Sequence, residues 1–535
     1  MPTFRGYQNC SVVTYRTMFS LDKACGELDA LVSSDAVARA EGGSMRLFGA
    51  ITVLAASLMP LLPVASAASV GTKVKEPVSV RVSREAESWT VTYVLNADTE
   101  RWVFPVSAVT FAGDQPWRPK QWRVLTRDLE LRREGNYDVL RSTNGRPVPR
   151  KVRIAITPTS GSLRREYDPA VMLGNGTVAL YSEQFDIAPA PAQVGVAAWS
   201  PEMSVTDMGG AHAKTVFHDR TGPVFVQGRR QDDPVLQGAE TYVIFGGASI
   251  TEGANVATLA HPELPAWLNT ELLSLTPAIA ERYAERLGPK IEAGRPLLLL
   301  AWRGATKGKV VADGGVRPGQ ILMTFEGEGL LEPNPKAQTR AQWFIAHELS
   351  HFWLGSSGVA YSKPGDAWIT EGGADMMAIS VLKQMKPSFD ADGEAQRAVD
   401  DCVRFAVKPI SSASARNESR APYACGLVFA LAAQGVVQKN GGQDYFDFLK
   451  PLLTAHRKDR RLSGAEWLAH LTKMAGNPAP AMAIGKLVNE GANDPGPVIA
   501  TLFDQTNVAY SRSGSALTLL PGRATKPVAS THAPG

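Results

Sequence analysis

Apolar and polar residues alternate over short stretches between Ser69 and Pro189, a pattern typical of strands that bury one face. Asn, Asp, Gly and Pro interrupt the stretches and predict turns between them. We therefore expect a β-sandwich-like domain over residues 68–190, followed by a linker in the Ala- and Pro-rich segment 188–198. The clearest strand segments are VSVRVS, SWTVTYVL, KVRIAIT and TVALYSEQFDI.

Short apolar runs at 241–247, 296–302 and 321–329 predict strands in a second region, and helical spacing separates the first two runs. The pattern then becomes helical from Asn334 to about Met474. A region with this alternation of helices and strands, after a β domain, predicts an α+β protein.

These patterns divide the chain after residue 195. We expect a second domain over residues 195–385, with both strands and helices, and a short helical domain over residues 386–510. The final stretch, 511–535, is rich in Ser, Gly, Pro and Ala, so we expect a disordered tail.

The N-terminal region contains a segment typical of a secretory signal peptide. Arg46 precedes an apolar stretch that two prolines interrupt, and Ala65-Ser66-Ala67 matches a cleavage pattern. Because such peptides start at the terminus, we interpret 45–67 as the signal peptide and 1–44 as a start-site artefact. We therefore expect a periplasmic or secreted protein with no stable membrane anchor after cleavage.

The composition places the chain among globular proteins without a nucleic-acid partner. It has 535 residues, enough for about two or three domains, with 44% hydrophobic and 20% charged residues. A formal net charge of +4 is too small, at this length, to indicate nucleic-acid binding. Cys402 and Cys425 would both lie in the mature chain, and the sequence leaves open whether they pair.

The stretch AQWFIAHELSHFWLG carries the strongest chemical signal. Asn334-Pro335 can start a helix, so His347 and His351 would lie one turn apart on one face and reach one cation. Glu348 lies near the same face, where it can act as a general base on water. The apolar flanks predict burial, and burying these groups without a compensating cation would be costly.

A third ligand is expected from the next predicted helix. Glu371 lies at its start and Asp375 one turn further on, in the segment DAWITEGGADMM. Glu371 could bind the metal, while Asp375 could hold the outer nitrogen of a ligating histidine. The alternatives are that Glu371 is a helix-start charge and that Asp375 is a surface carboxylate.

These residues resemble the gluzincin metallopeptidases, and most closely the M1 aminopeptidase family, with the M61 family as a near alternative. HELSHFWLG followed by DAWITEG is similar to that family's two metal-binding segments, with one more residue between His351 and Glu371. The resemblance implies a thermolysin-like zincin domain holding one Zn²⁺ ion on His347, His351 and Glu371. It also implies that peptides or proteins are substrates; it does not predict an oligomeric state.

A second segment, APYACGLVFAL, resembles the M1 stretch whose tyrosine stabilises an oxyanion, and this tyrosine maps onto Tyr423. The M1 motif that holds the substrate's α-amine has no match here. Glu326 or Glu328 could replace it, or could be ordinary edge-strand charges. An M1-like aminopeptidase is therefore expected, with an endopeptidase, another zinc hydrolase or a non-catalytic peptide binder as alternatives. We also expect the strand at 321–329 to pair with a bound peptide.

Overall fold

The computed structural model describes residues 76–520 except 111–112, 162, 165, 191–192, 194, 201–202, 254–255, 293 and 417. The predicted start-site artefact, the signal peptide and residues 521–535 lie outside the described residues.

The N-terminal part of the described chain consists almost entirely of short strands. In the first of them, Val80 and Val82 are buried while their neighbours face outward, as the alternating pattern predicts. The elements of this part are β1 (Ser79–Glu85), β2 (Ser88–Val94), β3 (Arg101–Phe104), α1 (Arg118–Gln121), β4 (Trp122–Val124), β5 (Leu129–Glu134), β6 (Tyr137–Ser142), β7 (Lys151–Ile156), β8 (Ala170–Met172), β9 (Val178–Tyr181), β10 (Ala188–Ala190), β11 (Lys214–Asp219), β12 (Val224–Val226), β13 (Arg229–Gln231), β14 (Val235–Leu236) and β15 (Tyr242–Phe245).

Three sheets contain these strands, in the orders β14-β11-β1-β2-β7-β4, β10-β3-β6-β5 and β13-β12-β15-β9-β8. All three contribute side chains to one apolar core. Because β11 pairs in parallel with β1 and β15 pairs with β9, the β domain continues to about residue 246. The expected boundary near residue 190 is therefore too early, since strand pairing between distant segments leaves no local signal.

The predicted linker is also partly a strand. Ala188 and Ala190 of β10 are fully buried and pair with β3. The strand lies at the edge of its sheet, where Pro189 costs no ladder hydrogen bond. The Ala-Pro-Ala sequence has the composition of a linker, although the segment is an edge strand.

The next sheet has the order β16-β17-β18-β20-β19. Strands β17, β18 and β20 are parallel, and β19 runs antiparallel to β20. Strand β20 is thus paired on both sides, and the expectation that segment 321–329 is free to pair with a peptide is wrong. The edge beside it is β19. The elements are β16 (Thr251–Glu252), β17 (Ala257–Ala260), α2 (Ala266–Leu287), β18 (Leu297–Trp302), β19 (Val311–Arg317) and β20 (Gln320–Glu326).

Helices dominate the remainder, and they share a single apolar core with the preceding sheet. Local capping starts two of them, the first as predicted. Asn334 accepts a hydrogen bond from the Ala337 amide, and Ser463 forms a capping box with Glu466. The elements are α3 (Pro335–Ser350), β21 (Ala360–Tyr361), α4 (Trp368–Met385), α5 (Ala391–Phe405), α6 (Arg420–Lys439), α7 (Tyr445–Ala455), β22 (Arg461–Leu462), α8 (Gly464–Ala475), α9 (Ala479–Asn489), α10 (Pro495–Thr506), β23 (Tyr510–Ser513) and β24 (Ala516–Leu519).

The strands β23 and β24 form a hairpin, so the prediction of disorder from residue 511 is wrong for its first residues. Gly514, with φ of +62°, makes the tight turn. Leu517 is buried, and Gln396 of α5 hydrogen-bonds the backbone of Leu517 and Leu519. A turn-rich composition therefore concealed a strand that packs on a distant helix.

Helices α5 and α6 are joined by a disulfide between Cys402 and Cys425, which settles the pairing that the sequence left open. Among the described residues, α6 alone is long and apolar enough to cross a membrane by length and composition. However, 83% of its most apolar window is buried inside the protein, as expected for a core helix. The combined α+β content agrees with the predicted fold class.

Candidate metal centre

Helix α3 brings its two histidines into the protein interior. The cap at Asn334 fixes its start, and His351 follows its last residue in a helical conformation with φ of −66° and ψ of −10°. His347, Glu348 and His351 are buried, at 1%, 3% and 3% exposure. Leu349 and Phe352 alongside them belong to the apolar core. The sequence therefore places three ionisable side chains where water cannot solvate them.

Helix α4 supplies a carboxylate to the same point. Glu371 Oε2 lies 3.5 Å from His347 Nε2 and 3.7 Å from His351 Nε2, and the two nitrogens are 3.2 Å apart. Ligands about 2.0–2.1 Å from a tetrahedral zinc ion lie roughly 3.3–3.4 Å from one another. The three separations bracket that value, so one ion at their centre would meet all three atoms.

The outer nitrogens fix which ring atoms carry hydrogen. His351 Nδ1 donates to the Leu354 carbonyl at 3.0 Å, and His347 Nδ1 donates to Asp375 Oδ1 at 2.8 Å. In neutral rings both Nε2 atoms then present lone pairs, and they face each other. A cation between them makes this arrangement favourable. Asp375 thus makes the contact with the outer nitrogen of His347 that the sequence suggested, and it is not a surface carboxylate, since it is 2% exposed.

Two buried carboxylate atoms at this centre remain unsatisfied. Glu371 Oε2 and Glu348 Oε2 have no hydrogen-bond partner among the described residues. A buried carboxylate oxygen without a donor is expensive unless a cation or a bound water compensates it. The two His nitrogens, one carboxylate and a neighbouring acid are a donor set that suits zinc, and the orphaned oxygens fit such an ion.

The electrostatics of the centre also favour positive charge. Burial lowers the pKa of His347, but Asp375 and Glu371 raise it more strongly, to about 10. Burial raises the pKa of Glu348 to about 7, with further increases from the charges of Glu371 and Asp313. In the metal-free protein, the carboxylates therefore stabilise a cation at His347, which is the position that a metal ion would take.

A second group of possible ligand atoms lies in the β domain, at Glu183, Asp186 and His212. Its carboxylates already have donors. Tyr181 donates to Glu183, while His212 and the Ala213 amide bond to Asp186 at 2.7 Å each. These hydrogen bonds satisfy the group internally, which distinguishes it from the centre on α3 and α4.

Tyr423 comes to the centre from the first turns of α6. Its ring stacks on that of His347, with centroids 5.6 Å apart and planes 20° from parallel. Burial raises the pKa of Glu371, but His351, His347 and a hydrogen bond from Tyr423 together lower it below its usual value. The phenol hydroxyl therefore lies at the ligand carboxylate, next to the predicted metal position.

Two glycines allow α4 and α6 to approach closely enough for this contact. A Cβ atom on Gly426 would lie 2.1 Å from the Trp368 carbonyl oxygen and 2.9 Å from the Cα of Gly372. A Cβ atom on Gly372 would lie 2.2 Å from the Cα of Gly426. The two helix backbones thus touch where they cross, close to Glu371 and Tyr423, and no residue larger than glycine fits at either position.

The acids suggested as amine ligands do not join the centre. Glu326 accepts from Lys309 and Thr306, at 2.8 and 2.7 Å, and the exposed Glu328 lies in a short 3-10 helix at Glu328–Leu330. The acid whose charge acts on Glu348, raising its pKa, is instead Asp313 of the edge strand β19, which is 1% exposed. The sequence offered one sign of Asp313, an acid among small residues in the segment Ala-Asp-Gly-Gly, and it was not recognised.

Comparisons with known proteins give only a distant likeness. No family model matches the chain, and no curated protein matches it significantly. Two crystal structures of an M1 zinc metallopeptidase from Deinococcus radiodurans are similar to it, one of them a mutant bound to a Tyr-Ser-Ala substrate. They share 14% and 15% sequence identity, cover 78% and 77% of this chain and 94% and 92% of theirs, and each has a TM-score of 0.40. The assignment of the centre therefore rests on this chain's own geometry.

The helix crossing predicts the effect of a single methyl group. We expect Gly426→Ala to push α6 away from α4, destabilising the protein by about 1–3 kcal/mol and weakening metal binding at the centre. Thermal unfolding with and without added Zn²⁺ measures both effects. The control is Gly485→Ala in α9, where a Cβ atom meets nothing within 4 Å; it should be neutral or slightly stabilising. Similar results for both variants would show that the close crossing of α4 and α6 does not determine stability or metal binding.

Proposed function

We propose that this protein is a zinc-dependent metallopeptidase whose ligands are His347, His351 and Glu371. The observation that carries the proposal is the convergence of two imidazole lone pairs and an unsatisfied carboxylate oxygen within 3.2–3.7 Å of one another. A metal that served structure alone would need no acid beside it. The buried Glu348, whose Oε2 atom has no described partner, supplies the carboxylate that hydrolysis requires as a general base.

A bound zinc ion would supply a Lewis acid that polarises the scissile carbonyl and lowers the pKa of water. Glu348 takes the proton of the attacking water as the new carbon–oxygen bond forms. It then delivers that proton to the departing amine nitrogen as the peptide bond breaks. Burial, which is the largest influence on Glu348, raises its pKa to about 7 in the metal-free protein, and burial of this kind favours a group that both accepts and donates a proton.

The sheet and helices from about residue 251 onward are proposed to form a thermolysin-like catalytic unit. Its edge strand β19 pairs with β20 along one side only and contacts α3. A substrate peptide in extended conformation could add to the other side through backbone hydrogen bonds, beside the metal ligands. Strand β19 thereby takes the role that the sequence suggested for segment 321–329.

Tyr423 is proposed to stabilise the oxyanion that develops on the scissile carbonyl. Its hydroxyl bonds to the Glu371 carboxylate, and its ring stacks on His347. A phenol O–H held beside the ligand carboxylate can turn from it to a developing negative charge.

Asp313 is proposed to hold the α-amine of the substrate, which would make the enzyme an aminopeptidase. The side chain is buried on the edge strand and close enough to Glu348 to raise its pKa. An ammonium group placed between them would gain a charge-assisted hydrogen bond. With its α-ammonium group held at one end of the site, the substrate would present its first peptide bond to the metal centre.

Export to the periplasm or the medium remains part of the proposal. The disulfide between Cys402 and Cys425 supports it, because such bonds persist mainly in oxidising compartments.

The role of Glu348 predicts a separation of binding from turnover. We expect Glu348→Gln to retain one zinc ion per chain and to lose hydrolysis by a factor of about 10²–10⁴. Metal analysis and a peptide-digest assay with mass readout, with and without chelator, measure the two properties. The control is Glu332→Gln at an exposed position before α3, which should keep both. Full turnover by Glu348→Gln would disprove the mechanism, and a zinc-free wild-type protein would disprove the centre.

The role of Tyr423 predicts a loss of turnover without a loss of metal. We expect Tyr423→Phe to lower kcat by about 10²–10³ while leaving KM within a few-fold. The matched control is Tyr510→Phe, which removes a hydroxyl that donates to Asp504 at the far end of the chain. If Tyr423→Phe altered zinc content but not kcat, the hydroxyl would be a support for Glu371 and not an oxyanion donor.

The role of Asp313 predicts discrimination between peptides with free and blocked amino termini. We expect the wild-type enzyme to prefer the free amine, and Asp313→Asn to lower kcat/KM for that peptide by about 10- to 100-fold. The N-acetylated peptide should be much less affected. Glu326→Gln is the control, since this acid already pairs with Lys309. Equal cleavage of both peptides by the wild-type enzyme would instead indicate an endopeptidase.

A further inference from the structure

We propose that Arg420 is a positioning residue of the metal centre, which it supports through Asp375 and His347. This inference rests on the proposed zinc site. It concerns a side chain on a third helix that contacts none of the ligands in the described interactions, and that no sequence pattern singled out.

The geometry forms a chain of three groups. Arg420 Nη1 lies 3.7 Å from Asp375 Oδ2, and the other oxygen of that carboxylate, Oδ1, bonds to His347 Nδ1 at 2.8 Å. Asp375 is 2% exposed and Arg420 only partly exposed, with a side-chain exposure of 20%. The two carboxylate oxygens thus face different partners, a ligand histidine on one side and a guanidinium on the other.

Burial gives this guanidinium its importance. A buried carboxylate has two oxygens to satisfy, and His347 reaches only one of them, Oδ1. Arg340 of α3 also interacts electrostatically with Asp375, but it is shared with Asp313 and Glu394. Arg420 is therefore the cation that the described ion pairs assign to this carboxylate.

Arg420 is itself held in place from the opposite side. Its Nε atom donates to Asp401 Oδ2 of α5 at 3.0 Å. The next residue, Cys402, forms the disulfide with Cys425, one and a half turns after Arg420 on α6. An ion pair and a covalent bond thus fix the first turns of α6 against α5, so the guanidinium is presented in one orientation.

The first turn of α6 consequently supports both kinds of metal ligand. Arg420 reaches His347 through Asp375, and Tyr423, one turn later on the same face, reaches Glu371 directly. Outer groups that orient a metal-bound histidine typically contribute 10- to 100-fold to metal affinity. We place Arg420 at the lower end of that range, because it acts through a second residue.

Zinc affinity in a double-mutant cycle tests the proposal. We expect Arg420→Gln to weaken Zn²⁺ binding by about 10-fold, measured by competition with a chromophoric chelator on the full chain. Asp375→Asn should weaken binding at least as much, and adding Arg420→Gln to it should cause no further loss. Arg420→Lys should recover part of the affinity, since it restores the charge but has a single nitrogen for the two carboxylates that Arg420 contacts, Asp375 and Asp401.

A matched control removes a neighbouring ion pair without touching Asp375. Arg404 donates to the same Asp401 at 2.8 Å, and its side chain is 67% exposed. We expect Arg404→Gln to leave zinc affinity unchanged. The absorption spectrum of the Co²⁺-substituted protein gives a second readout, because a reoriented His347 changes the ligand field whereas a merely less stable protein does not.

Two results would overturn the inference. One is an unchanged zinc affinity in Arg420→Gln; the other is a loss that adds fully to that of Asp375→Asn. Either would leave the proposed peptidase function intact, since the wild-type protein would still bind zinc. A wild-type protein that binds no zinc would instead remove the proposed function, and this inference with it.

Discussion

Two imidazole nitrogens that face each other 3.2 Å apart, and that both present lone pairs when the rings are neutral, are the constraint around which this half of the protein is built. Each ring is fixed by its outer nitrogen, one on a carboxylate and the other on a carbonyl. Such a contact inside an apolar core is unfavourable for the protein alone. It becomes favourable when a cation occupies the shared space, and Glu371 and Glu348 supply the negative charge that attracts one.

The backbone makes this electrostatic arrangement possible. Helix α4 carries Glu371 and Asp375, and it must lie close to α3 for the ligands and to α6 for Tyr423. The missing side chains of Gly372 and Gly426 allow the second approach, because any Cβ atom there would overlap backbone atoms. The disulfide and the Asp401–Arg420 pair then hold α6 from behind. Packing and charge therefore depend on each other at the same place.

Local sequence signals predicted those parts of the centre that depend on local structure. The helical period brings His347 and His351 together, and caps at Asn334 and Ser463 act within a few residues. Glu371 was predicted to join them from its place at the start of the next helix, and its Oε2 atom lies within 3.7 Å of both rings. The end of the β domain and the edge strand of the second sheet were harder to predict from the sequence. The pairing of β11 with β1, and the choice of β19 over β20 as the edge, depend on contacts between segments far apart in sequence.

The same distinction explains why supporting residues were harder to identify than ligands. A metal ligand belongs to a motif, since its chemistry demands a residue type at a fixed spacing. Arg420 and Asp313 have no such spacing relative to α3, and only the folded chain brings them near Asp375 and Glu348. Their residue types are common on protein surfaces, so what distinguishes them is their position in the fold: Asp313 is buried, and the half-buried Arg420 lies against a buried carboxylate. In this protein the spacing along the sequence predicts the proposed ligands, whereas the charged groups around them are brought there by the packing of α5, α6 and β19.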